Sequence, residues 1–84
     1  MHKIKSTQNS ETLVGIVTPI QWGEDDQVTA VALSATDDEA YLIENGEKFI
    51  NLVQKCIEAS GKVKRDKKTA KSIVIKRFSI IDNF

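Results

Sequence analysis

The side chains that most often carry chemistry are scarce in this chain. It has one histidine, His2, and one cysteine, Cys56, whereas nucleophilic or acid–base catalysis through such groups needs a paired base and an orienting partner in a folded site. His2 stands in a polar N-terminal stretch, and Cys56 reads as a small apolar filler. A single cysteine forms no internal disulfide, zinc knuckle or redox pair. The spacings of a phosphate-binding glycine loop, a nucleophile elbow, a zinc-protease helix and a calcium loop are all missing. Asp25-Asp26 and Asp37-Asp38-Glu39 could attract a hard cation, but neither matches a calcium-loop pattern. The sequence therefore reads as a non-enzyme without a cofactor or metal.

Binding chemistry is better represented. Twelve basic and twelve acidic residues cancel, yet they are not mixed. From Glu24 to Glu47 there are eight acidic residues and no basic one; from Lys62 to Arg77 there are eight basic residues and one acidic, Asp66. The basic block, Lys62, Lys64, Arg65, Lys67, Lys68, Lys71, Lys76 and Arg77, could track a phosphate backbone, with Trp22, Tyr41 or Phe78 offering a face on which a base stacks. Against that, only five residues are aromatic, and Phe49 and Phe78 are expected in the core. Alternate Lys and Arg on a strand also serve simply to keep a sheet surface solvated and unaggregated.

Eighty-four residues with 40% hydrophobic and 29% charged composition make one globular domain that buries roughly 63% of its unfolded surface. No apolar run reaches the roughly 20 residues of a membrane span, and no apolar stretch follows Lys3 and Lys5 as a secretory signal requires. A cytoplasmic setting is expected. Residues 1–11 read as a flexible arm and residues 12–84 as the domain.

Period-two patterning dominates that domain. A first strand begins near Thr12, with Leu13, Gly15 and Val17 on one face, and must bend or reach an edge by Pro19. A polar turn at Gly23–Gln27 leads to a second strand, Val28–Ala35. After an acidic turn at residues 36–39 comes a short third strand, Ala40–Glu44. Phe49, Ile50, Leu52 and Val53 then follow the stripe of a two-turn helix, with Asn45 as its N-cap. A fourth strand sets Ile57, Ala59, Gly61 and Val63 in phase. In the last strand Ile73 and Ile75 share one phase and Phe78 and Ile80 the next, a slip that predicts a β-bulge near Lys76-Arg77. Val17, Val31, Leu33, Ile43, Leu52, Ile57, Val63 and Ile75 are the expected core.

Three strands, a short helix and two strands, together with Leu13-x-Gly15-x-Val17 recurring as Ala59-x-Gly61-x-Val63, resemble small bacterial OB-fold domains. The resemblance covers residues 12–82. It implies a mainly β, five-stranded barrel in which the first and fourth strands pair and a ligand groove lies between the loop joining strands one and two and the loop joining four and five. An SH3-like barrel is the alternative. OB-folds bind nucleic acids, oligosaccharides and proteins alike, so the resemblance does not choose a ligand. Single-stranded nucleic acid is the leading specific expectation, and the alternative is a protein partner or self-association through opposed acidic and basic faces.

Overall fold

The computed structural model describes residues 8–65 and 71–81, with side chains from residue 10 onward. Five strands, β1 (Gln8–Trp22), β2 (Val28–Ala35), β3 (Ala40–Ile43), β4 (Cys56–Lys64) and β5 (Ser72–Ile80), close into a barrel in the order β1-β2-β3-β5-β4. Every neighbouring pair is antiparallel except β3 and β5, which run parallel. The insertion of β5 between β3 and β4 fits the expected OB-like Greek-key barrel. Among the described residues no helix is long and apolar enough to cross a membrane.

The alternation in the sequence is what aims the side chains. Val17, Val31, Leu33, Tyr41, Ile43, Ile57, Ala59, Val63, Ile73 and Ile75 all point inward and are buried, and Leu52 packs against them partly buried. Pro19 marks an irregular end to β1, where the register against β2 shifts on both sides of Gln21. On β5 the register slips between Ser60 and Gly61 of the partner strand, leaving Lys76 as the extra residue; this is the bulge expected from the phase change. A Cβ on Gly15 would overlap the Ser34 carbonyl oxygen, and one on Gly61 would overlap that of Val74. Both glycines therefore let strands approach where the barrel coils sharply.

Two expectations need correction. Residues 8–11, assigned by the sequence to the arm, are part of β1: Gln8 pairs with Lys64 and Glu11 with Gly61. Their polar side chains carry no hydrophobic signal, because what orders them is the backbone ladder to β4. The helix is also not formed. In its place are two single turns of 3-10 helix, Gly46–Lys48 and Ile50–Leu52, closed by Phe49 N–H donating to Gly46 O (2.8 Å) and Val53 N–H to Ile50 O (3.3 Å). Gly46, Asn51 and the β-branched Ile50 and Val53 are poor helix formers, and so few residues cannot offset the cost of nucleation.

Asn45 does not cap these turns. Its side-chain amide donates to Ile75 O (2.8 Å), and its side-chain oxygen accepts from Ile75 N–H (3.0 Å). The carboxamide thus stands in for a peptide group and adds one rung to the β3–β5 ladder. Phe49 lies beneath the barrel, nearly fully buried, with its ring edge-on to Phe78 at 5.1 Å.

Asn45→Ala leaves both main-chain groups of the buried Ile75 unpaired and is expected to lower stability by about 1–3 kcal/mol in denaturant unfolding, with Asn45→Asp also destabilising because it keeps only the acceptor. Gly61→Ala should cost about 1–3 kcal/mol or more by overpacking. A Gly61→Ala midpoint equal to that of the parent would show that the two strands are not held so close.

Candidate functional site

The structure separates the residues that the sequence grouped as a nucleic-acid surface. Trp22 is exposed at the end of β1, whereas Tyr41 is completely buried. Tyr41 therefore offers no face for a stacking base, and that expectation is corrected: it shares the inward phase of Ile43 on β3, opposite Leu33. Phe78, expected in the core, is 45% exposed although it touches Phe49. Lys62, Lys76 and Arg77 are exposed and form no ion pair among the described residues. Lys67 and Lys68 lie outside the described residues.

The other three cations meet carboxylates. Lys64 faces Glu44 at 3.8 Å, Lys71 faces Glu39 at 3.1 Å, and Arg65 pairs with Glu11. Glu39 and Glu44 flank β3, which runs beside β5 and so next to the ends of the basic block. Blocks that are opposed along the chain are in part neighbours in the fold. Surface pairs of this kind contribute little to stability, but they do occupy the charges that a phosphate backbone would need.

Arg65 is the centre of the best-connected of these contacts. Its guanidinium makes two bonds to the Glu11 carboxylate, one of them at 2.9 Å, and a third to the Tyr41 hydroxyl at 3.1 Å, while lying 5.5 Å from the centre of the Tyr41 ring. The Tyr41 hydroxyl in turn donates to Asp37 at 2.7 Å, and the other Asp37 oxygen accepts from the Glu39 N–H at 2.9 Å. The network joins β1, the β2–β3 loop, β3 and the end of β4 at one mouth of the barrel. The hydrogen bonds from Arg65 hold the Glu11 carboxyl below its ordinary range, and the bond from Tyr41 does the same for Asp37. Burial, then the bond to Asp37, push the Tyr41 phenol up, so it stays protonated and keeps donating. The cation, the phenol and the two carboxylates bond to one another and tie four parts of the fold together. This is a structural clasp.

The concave surface lies elsewhere. An open groove of about 790 Å³ crosses the outer side of β1, β2 and β3, lined by Ile20, Thr29, Ala30, Leu42, Glu44 and Glu47 among others. Ile20 and Leu42 are large apolar side chains left well exposed there. Its lining holds two carboxylates, Glu47 and a Glu44 that faces Lys64 and accepts from the Ser72 hydroxyl (2.6 Å), and its residues Gln21 and Thr29 flank the loop bearing Glu24, Asp25 and Asp26. Sequence reasoning missed these residues. The outward phase of Leu42, set by its alternation with Tyr41 and Ile43, was the available signal.

Lowering pH tests the clasp. Carboxyls with depressed folded values contribute stability that is complete above their ordinary values, 4.5 for Glu11 and 3.8 for Asp37, and is lost as pH falls through the folded values. The melting temperature should therefore drop across roughly pH 5 to 2, and Glu11→Gln should flatten that drop while lowering stability near neutrality; an unchanged slope would remove Glu11 from the account. Comparison with protein-family models, with curated proteins and with solved structures gave no significant match, so the functional reading rests on the residues of this chain.

Proposed function

We propose that this chain is a non-catalytic binding module that seats, in the groove over β2 and β3, an apolar segment of a protein partner carrying Lys or Arg. The observation that carries the reading is the groove itself: exposed Ile20 and Leu42 beside the carboxylate of Glu47, which forms no ion pair among the described residues, with Glu44, already facing Lys64, completing an acidic rim. Apolar area would supply the attraction and the carboxylates the selectivity, since like charge is rejected more strongly than opposite charge is rewarded. A cytoplasmic setting, in which the unpaired Cys56 stays reduced, belongs to the same proposal.

Less of the geometry supports single-stranded nucleic acid. A phosphate chain laid along this groove would run past Glu44, Glu47 and the acidic β1–β2 loop, and Lys64, Arg65 and Lys71 already hold carboxylates. With Tyr41 inside the barrel, Trp22 is the remaining exposed aromatic from the expected stacking set apart from Phe78.

Amide chemical shifts followed while the protein is titrated with a short peptide of alternating Leu and Lys, and separately with oligodeoxythymidine, discriminate the two. The peptide should move the amides of Ile20, Thr29 and Leu42, and Glu47→Lys should weaken it several-fold, in keeping with about 1 kcal/mol for a partly exposed charge contact. Shifts confined to Lys62, Lys76 and Arg77 with the oligonucleotide, and none with the peptide, would return the nucleic-acid reading.

A further inference from the structure

A second surface, separate from the groove, follows from how β5 is shared. Its first half has a partner on each side. β4 pairs along its whole length, and β3 pairs at Leu42↔Ser72 and Ile43↔Ile73, continued by Glu44 N–H donating to Ile73 O (2.9 Å) and by the Asn45 carboxamide on Ile75. Beyond Ile75 the partner on the β3 side stops. The second half of β5 is paired to β4 alone.

The direction of its main-chain groups can be read from the ladder. Ile81 N–H donates to Cys56 O at 2.9 Å, and the register continues as Ile57↔Ile80, Glu58↔Ser79, Ala59↔Phe78 and Ser60↔Arg77. In an antiparallel pair, hydrogen-bonded and non-hydrogen-bonded positions alternate. Arg77 and Ser79 therefore spend their N–H and C=O groups on β4, and those of Phe78 and Ile80 point away from it. Among the described residues nothing bonds to these outward groups.

The side chains on this edge alternate as well. Phe78 and Ile80 are 45% and 46% exposed, and Arg77 and the bulged Lys76 are exposed with no carboxylate partner among the described residues. The segment from Lys76 to Ile80 holds no acidic residue; the nearest carboxylate fixed by the register is Glu58, opposite Ser79 on β4. Cations and a bulge on an edge strand discourage pairing with a second copy, because a second Lys76–Ile80 would add positive charge to positive charge. The same cations favour a strand of opposite sign.

We propose that the Arg77–Ile80 edge of β5 is a strand-addition site for an extended segment of a protein partner in which apolar residues alternate with Asp or Glu. The added strand takes the free N–H and C=O groups of Phe78 and Ile80, sets its apolar side chains beside theirs, and places its carboxylates by Arg77 and Lys76.

Amide hydrogen exchange measured residue by residue tests this directly. In the free protein the Phe78 and Ile80 amides should exchange fast while those of Arg77 and Ser79 are protected. A peptide of alternating Val and Glu should slow Phe78 and Ile80 at least tenfold, its Val and Lys counterpart should not, and Arg77→Glu should invert that preference. Glu47→Lys, in the groove, should leave the acidic peptide's effect intact, so the two surfaces fail or stand separately. Any of four results overturns the assignment: Phe78 and Ile80 already protected in dilute free protein, protection that rises with protein concentration and so reports a second copy, binding of the acidic peptide without protection at these amides, or equal binding by a peptide N-methylated at alternate residues. Should Arg77→Glu fail to fold, Lys76→Glu on the bulge carries the same test.

Discussion

The barrel is closed by a short seam. Two register pairs between β3 and β5, with Leu42 N–H donating to Lys71 O and Glu44 N–H to Ile73 O, the Ser72 hydroxyl donating to Glu44 and the two bonds of the Asn45 carboxamide join the first three strands to the last two on that side. β1 with β2, β1 with β4 and β4 with β5 share long antiparallel ladders, nine paired positions between β1 and β4 alone, whereas β2 and β3 share three. Parallel pairing is somewhat weaker per residue than antiparallel, and the seam links segments about thirty residues apart, so its loop-closure cost falls on few bonds. That makes the side chain of Asn45 a structural element in its own right: it supplies a rung where the main chain has already turned away toward Gly46.

The seam also decides the electrostatics. A chain whose acidic residues precede its basic ones would be strongly polar if its two halves lay apart. Parallel docking of β3 against β5 instead sets Glu39 and Glu44 near Lys71 and Lys64, while Arg65 turns back across the barrel mouth to Glu11. These contacts are partly exposed, and their value to stability is small; their larger effect is to remove cations from the pool available to a polyanion. The other described cations of the basic block, Lys62, Lys76 and Arg77, sit on β4 and the second half of β5, outside the lining of the groove.

Strand phase was legible because it is written locally. Val31 with Leu33, Ile57 with Ala59, Gly61 and Val63, and Ile73 with Ile75 each declare an inward face within a few residues, and the slip from Ile75 to Phe78 declares the bulge at Lys76. The same rule, applied to Tyr41 and Ile43, already places Tyr41 inside; reading it as a stacking surface let an aromatic ring outweigh its own alternation. The helix failed for a different reason. Apolar spacing at Phe49, Ile50, Leu52 and Val53 is compatible with both an α-helix and successive 3-10 turns, and what separates them is propensity at Gly46 and Asn51 and the diversion of Asn45 to Ile75. That diversion, like the bond of Arg65 to Glu11 across 54 positions, depends on which strands become neighbours, and no local pattern carries it.

Both proposed surfaces trace to one dimension, the length of β3. With only four residues, Ala40–Ile43, it ends before the chain has covered β5, and the turn at Asn45–Gly46 carries Glu44 and Glu47 to the rim of the groove. In the register Ile43↔Ile73, a strand running on past Glu47 to Ile50 would extend the ladder beyond Ile75 and meet the outward groups of Phe78 and Ile80. It would also draw Glu47 into the sheet and away from Ile20. The groove with its carboxylates and the edge with its cations are thus two results of the same early stop. Their opposite charge keeps them from serving the same ligand, because a segment that suits Glu44 and Glu47 is repelled by Lys76 and Arg77. The two proposals together therefore call for two unlike segments, with the barrel between them setting their separation.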